Sequence, residues 1–138
     1  MDESMLEMRD FQGVGYRPLI DYGEWRVAML RFQEDLRPDC IASMERHTET
    51  DEVFVLLFGK GVLILGGSEA QVSGIYPQVM RPGIIYNVKR NAWHTILLSR
   101  DATVLLVENR DTGVTNSEFT KLSPGQRRLI QENSEYEG

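Results

Sequence analysis

The chain has 138 residues, 41% hydrophobic and 26% charged, with a formal net charge of −6. That length supports one domain around one sizeable core. The acidic balance argues against nucleic acid or an anionic membrane as partner, because either selects a basic stripe. A lone cysteine, Cys40, excludes an internal disulfide and fits a reducing compartment. No charged-then-apolar leader opens the chain, and no apolar run nears the ~18 residues that span a bilayer. A soluble cytoplasmic protein is the expectation.

Residues 1–12 form an acidic tail carrying Met5, Leu6, Met8 and Phe11 nearby. From Tyr16 onward the texture is short strands separated by turn signals, the pattern of an all-β sandwich or barrel. Arg17 to Ile20 reads as a weak strand before the Asp21-Tyr22-Gly23 turn. Trp25 to Phe32 alternates with both faces partly apolar. Cys40 to His47 is predicted as a strand, with Cys40 packed in it. Glu52 to Phe58 and Val62 to Leu65 flank Gly59-Lys60-Gly61, predicting a tight hairpin. Ala70 to Tyr76 is expected to pair beyond the Gly66-Gly67-Ser68 turn, with Pro77 limiting it to an edge or an end.

Gly83 to Val88, Trp93 to Leu98 and Thr103 to Val107 supply the last strands, with Arg100-Asp101 as the connection between the final pair. Ser123-Pro124 reads as an N-cap and first helical residue. The helix it starts is expected to reach about Asn133, with Leu129 and Ile130 on its buried side, before a frayed acidic tail over residues 132–138. The predicted layout is a tail over 1–12, a barrel over 13–115 and a C-terminal segment with a short helix over 116–138.

The only two histidines, His47 and His94, stand in stretches of similar plan. Alternation places residues i and i+2 of a strand on one face. Glu45 and His47 therefore project together, Glu52 heads the apolar face of Phe54, Leu56 and Phe58, and His94 heads Ile96 and Leu98. A carboxylate heading an apolar face needs a partner. Two imidazoles and one or two carboxylates converging in a barrel suit a divalent metal such as Zn, Mn, Fe or Ni. His47 with Glu49 is the rival pair. Tyr86 and Lys89 are candidate substrate contacts, with packing and a solvated loop as the plain alternatives. Trp93, on the opposite face from His94, is expected to pack, and Arg46 to point outward.

At these residues the chain resembles the cupin superfamily. The family's first motif runs glycine, five residues, His-x-His, three or four residues, glutamate, six residues, glycine. Gly59, Glu52 and His47 keep that spacing, while Glu45 falls at the first histidine and Asp39 at the opening glycine. In the second motif Gly83 and His94 match, and Lys89, Asn91 and Leu98 replace proline, glycine and asparagine. Asp39 and Asn91 are residues that tolerate positive φ.

The resemblance covers roughly Tyr16 to Thr112 and implies an all-β, cupin-type jelly-roll barrel with its site in the mouth. It implies a metal set of Glu45, His47, Glu52 and His94, more acidic than the three histidines and one glutamate usual in metal-binding members. Glu45, standing at the departure, is the candidate catalytic base. The stretches Tyr86-Asn87, Trp93-His94 and Val104 to Arg110 are similar in texture to the ureidoglycolate lyase branch.

Three functions stay open: a small metal-dependent enzyme acting on a polar carboxylate or sugar-derived metabolite, a lyase of that branch, and a non-catalytic module binding a small molecule. The apolar fringe of the N-terminal segment points to a homodimer.

Overall fold

The computed structural model describes residues 2–134, so the final four residues of the expected acidic tail lie outside the described residues. Among the described residues, ten strands form two antiparallel five-stranded sheets facing each other as a jelly-roll barrel. One sheet orders β1 (Tyr16–Tyr22), β2 (Trp25–Arg31), β9 (Thr103–Asn109), β4 (Glu52–Phe58) and β7 (Ile85–Val88). The other orders β10 (Ser117–Lys121), β3 (Ser43–His47), β8 (His94–Leu98), β5 (Gly61–Leu65) and β6 (Tyr76–Val79). Helix α1 spans Pro124–Glu132. Among the described residues no helix is long and apolar enough to cross a membrane.

Alternation divides the apolar residues between two cores. Ala28, Phe54, Leu56, Leu63, Ile96, Leu98, Val104 and Leu106 fill the barrel interior. Met44, Val62, Ile64, Trp93 and Leu97, the opposite face of the second sheet, pack with Ile41, Leu122 and Ile130. Trp93 is therefore buried as its parity requires, and Arg46 lies outside the barrel with its guanidinium 4.3 Å from the Trp93 ring centroid. The helix starts where Ser123 and Gln126 form a reciprocal cap, and it buries Ile130. Leu129, expected beside Ile130 on the buried side, is 47% exposed instead. It stands one residue away, a rotation of about 100° around the helix axis.

Several predicted connections take another course. Glu52–Phe58 and Gly61–Leu65 do not pair as a hairpin; they belong to opposite sheets, and Gly59-Lys60 carries the chain across. Ser99 to Ala102 likewise crosses between sheets instead of joining paired strands. The two crossings pack together: the Lys60 N–H donates to Ser99 Oγ at 2.9 Å, and a Cβ on Gly59 (φ 78°) would stand 2.6 Å from Ala102 Cα. Only glycine fits that position without displacing backbone.

The strand expected over Ala70 to Tyr76 begins only at Tyr76. It runs along the sheet edge, and Pro77 pairs with Ile64 there, a position where a missing N–H costs no ladder bond. Cys40 sits in a turn before β3 and is exposed rather than packed. The tenth strand, β10, lies beyond the expected barrel and pairs with β3 from Ser117–His47 to Lys121–Ser43.

Candidate functional site

His47 ends β3 and Glu52 begins β4, and these strands lie in opposite sheets. Residues 48–51 therefore form a bridge across the barrel mouth, not the turn of a hairpin. That crossing makes the two side chains face each other through the interior. His94 starts β8 directly opposite Glu45 on β3. The N–H of Asn91, the one non-glycine residue with positive φ (70°) among those described, donates to the His47 carbonyl at 2.8 Å and fastens the approach to β8. Asp39, expected to share that conformation, does not adopt it.

The structure brings Glu45, His47, Glu52 and His94 into one cavity of about 560 Å³. Glu52 Oε1 lies 3.0 Å from His47 Nε2 and 3.2 Å from His94 Nε2, while Glu45 Oε1 is 4.0 Å from His47 Nε2. The imidazole centroids are 5.3 Å apart, edge to face. Tyr86 and Lys89 are not among the cavity's described lining residues. Tyr86 packs against the barrel core and its hydroxyl accepts the Arg81 N–H at 2.8 Å, whereas Lys89 reaches Asp51 at 3.4 Å on the surface. Glu49, the rival ligand, accepts a hydrogen bond from Asn116 in the loop.

Sequence reasoning missed Glu108. It lies on β9 on the same face as Val104 and Leu106, and it is buried. One step beyond the Val53–Val107 pair, it comes level with Glu52. The signal was present, since Val104, Leu106 and Glu108 alternate as Leu56, Phe54 and Glu52 do. The Tyr16 hydroxyl donates to Glu108 Oε1. Ser117, on the unanticipated strand, meets His47 Nδ1 at 2.8 Å.

The protonation states follow from the partners. His94 Nδ1 faces the Ala92 carbonyl at 3.0 Å, and a carbonyl only accepts, so this nitrogen holds a proton. Its Nε2 then points a lone pair at Glu52 unless a cation intervenes. A second proton meets the need. Burial opposes charge on Glu52, but hydrogen bonds and charge from the two imidazoles outweigh it, and its carboxyl is lowered to about 2. Burial likewise opposes the protonated forms of His47 and His94, yet contact with Glu52 raises both above their ordinary value. Burial and the neighbouring Glu52 charge push Glu108 up to about 7, against the Tyr16 hydrogen bond, which favours its ionised form.

A divalent ion would satisfy the same atoms. Ligand atoms of Glu45, His47 and His94 lie within 4.8 Å of one another, as do those of His47, Glu52 and Glu108. The donor set of imidazole nitrogen and carboxylate oxygen suits first-row divalent metals. The carbonyl holding His94 Nδ1 is the outer partner that metal-bound imidazoles ordinarily have. The residues therefore fit a metal.

No family model matches the chain, and no curated protein matches its sequence. Solved structures do match in fold. Nucleoside dehydratase Pac13 from Streptomyces, in a variant bound to uridine, has a TM-score of 0.55 at 11% identity, covering 78% of this chain and 77% of that one. KdgF from Halomonas sp. has a TM-score of 0.52 at 12% identity, covering 80% of this chain and 94% of that one. The Fe(II) form of HppE has a TM-score of 0.51 at 15% identity, covering 68% of this chain and 48% of that one.

Proposed function

We propose, for a chain whose fold is that of the cupin superfamily, a metal-dependent enzyme acting on a small organic metabolite held in the barrel mouth. The observation that supports it most is the pair of imidazoles converging on the buried carboxylate of Glu52 at the base of an open cavity. Of Glu45, His47, Glu52 and His94, the last three would hold the ion, which when bound supplies Lewis-acid polarisation of a substrate oxygen, while Glu45 would stay off it as a base. That one neighbour in fold is an Fe(II) protein and another a dehydratase is compatible with this reading.

The chain's own residues divide the remaining work. Glu52, fastened by both imidazoles, fixes their orientation. Glu45 has a side chain 41% exposed and its nearest imidazole 4.0 Å away, so it has room to take a proton from a bound substrate. Glu108 keeps a proton in reach near neutral pH, with Tyr16 fixing the orientation of its carboxyl. Leu30, Leu106 and Phe119 line the apolar wall that limits water around the reacting groups.

Elemental analysis of untagged protein tests the metal. The wild type is expected to retain a divalent first-row ion, His94→Ala to lose it, and Glu49→Ala to keep it. Equal retention in both variants would overturn the ligand assignment. Glu45→Gln is expected to keep metal and lose turnover, whereas Glu52→Gln loses both. Met5 and Met8 are 78% and 71% exposed, and we place them in the contact of a homodimer. Deleting residues 1–11 is then expected to weaken dimerisation in analytical ultracentrifugation.

A further inference from the structure

We infer that the cavity takes a small organic cation, an ammonium group carried on an apolar body. This rests on reading the cavity as the ligand site and adds the sign of the ligand's charge. Four carboxylic side chains, Asp35, Glu45, Glu52 and Glu108, line the cavity, and among its described lining residues there is no lysine or arginine. The arginines of neighbouring segments are engaged elsewhere: Arg26, which stands opposite Glu108 across β2 and β9, is held by Asp21 at 2.8 Å. Arg37 pairs with Glu34 and Asp39 at 3.4 and 3.1 Å, Arg100 with Glu34 at 3.2 Å, and Arg46 with Glu118 at 2.8 Å. Apart from the two imidazoles, which Glu52 already engages, a carboxylate or phosphate entering here meets no positive side chain among the described lining residues.

The sign of the cavity survives either state of its base. With a divalent ion and neutral imidazoles, the carboxylates of Asp35, Glu45 and Glu52 outweigh the metal by one charge. With two imidazolium rings and no metal, the same three carboxylates outweigh them by one again. Glu45 carries the open part of this charge. Its nearest cationic partner among the described residues is His47 at 4.0 Å, and its side chain is 41% exposed to the cavity mouth. Glu52, by contrast, is enclosed by both imidazoles.

The walls supply the other half of the specificity. Leu30, Ile41, Ile96, Leu106, Val114 and Phe119 all line the cavity. Where a ligand lies against these side chains, hydroxyls would be left without partners, so this wall favours a hydrocarbon body. An amine with a hydrocarbon body matches both surfaces, because the apolar surroundings strengthen the attraction between its ammonium and Glu45. The volume of about 560 Å³ accommodates a body the size of an aromatic ring with a short side arm.

Three probes with one body and different charges test this directly: 2-phenylethylamine, 2-phenylethanol and phenylacetate. Calorimetric titration uses the full chain, both metal-loaded and chelator-treated, with metal content measured in each sample. The amine is expected to bind at least about tenfold more tightly than the carboxylate, with the alcohol between them, and to weaken with added salt. Glu45→Gln is expected to remove about tenfold of the amine's affinity and leave the alcohol's unchanged. Asp35→Asn, at the exposed rim, should act in the same direction by a smaller factor.

Carboxylate binding as tight as that of the amine would overturn the inference. So would an unchanged amine affinity in folded Glu45→Gln, or no binding of any probe at millimolar concentration. A protein that prefers the amine but takes up no metal would instead sink the metal reading and keep this one.

Discussion

Glu52→Gln is the perturbation that tests the electrostatics of the site most directly. An ordinary carboxyl near 4.5 is lowered here to about 2, which corresponds to about 3 kcal/mol of native-state stabilisation at neutral pH. The sign follows from the direction. A lowered carboxyl contributes fully above its unfolded value, and the contribution is lost as pH falls from about 4.5 towards 2. His47 and His94 are raised, so their contribution is complete below 6.5 and is lost as pH rises through their folded values. These are two sides of one contact, counted once. Glu108, raised to about 7, adds a cost as it ionises in the folded state, which steepens the decline between 4.5 and 7.

The metal-free wild type should therefore be most stable near pH 5. Glu52→Gln should lower its unfolding free energy there by about 3 kcal/mol, within the usual range for breaking a buried ion pair, and its melting temperature by about 10 °C. Urea denaturation of chelator-treated protein from pH 2.5 to 9 measures this. The two profiles should converge at the acid end, where wild-type Glu52 takes up its proton. A separation that stays constant down to pH 2.5, or a variant as stable as wild type at pH 5, would refute the assignment of Glu52 as an ionised anchor for both imidazoles.

Gly59→Ala should cost about 3 kcal/mol in denaturant unfolding, because it combines a left-handed backbone with a Cβ 2.6 Å from Ala102 Cα. Ile130→Ala should destabilise by a similar ~3 kcal/mol and raise hydrogen exchange in α1 first, since Ile130 is the residue this helix buries. Tyr16→Phe removes the hydroxyl that favours the ionised form of Glu108. Carboxyl NMR should then show Glu108 titrating still higher; an unmoved titration would show that the hydrogen bond is not formed in solution.

Local pattern determined a good part of this protein. Alternation alone headed an apolar face with Glu52 and another with His94, separated Trp93 from His94, placed Arg46 outside, and marked Ser123-Pro124 as the start of a helix. These are properties of single strands and turns, and residue parity carries them. Parity does not say which strand a face will meet. The chain changes sheet seven times among the described residues, and in the short links at 48–51, 59–60 and 99–102 no residue distinguishes a crossing from a hairpin. That choice is made by non-local packing, as each sheet covers the apolar face of the other.

The crossings are also what assembled the site. His47 faces Glu52 because β3 and β4 lie in opposite sheets, and Glu108 joins them because β9 runs beside β4. Glu108 has the same alternating signature as Glu52, but its neighbours in sequence include no histidine to draw attention to it. Tyr86 and Lys89 lie close to His94 in sequence and away from the cavity in space, because β7 joins the first sheet whereas β8 joins the second. Residue type and spacing named the candidate side chains; the pairing of distant strands decided which of them share a cavity.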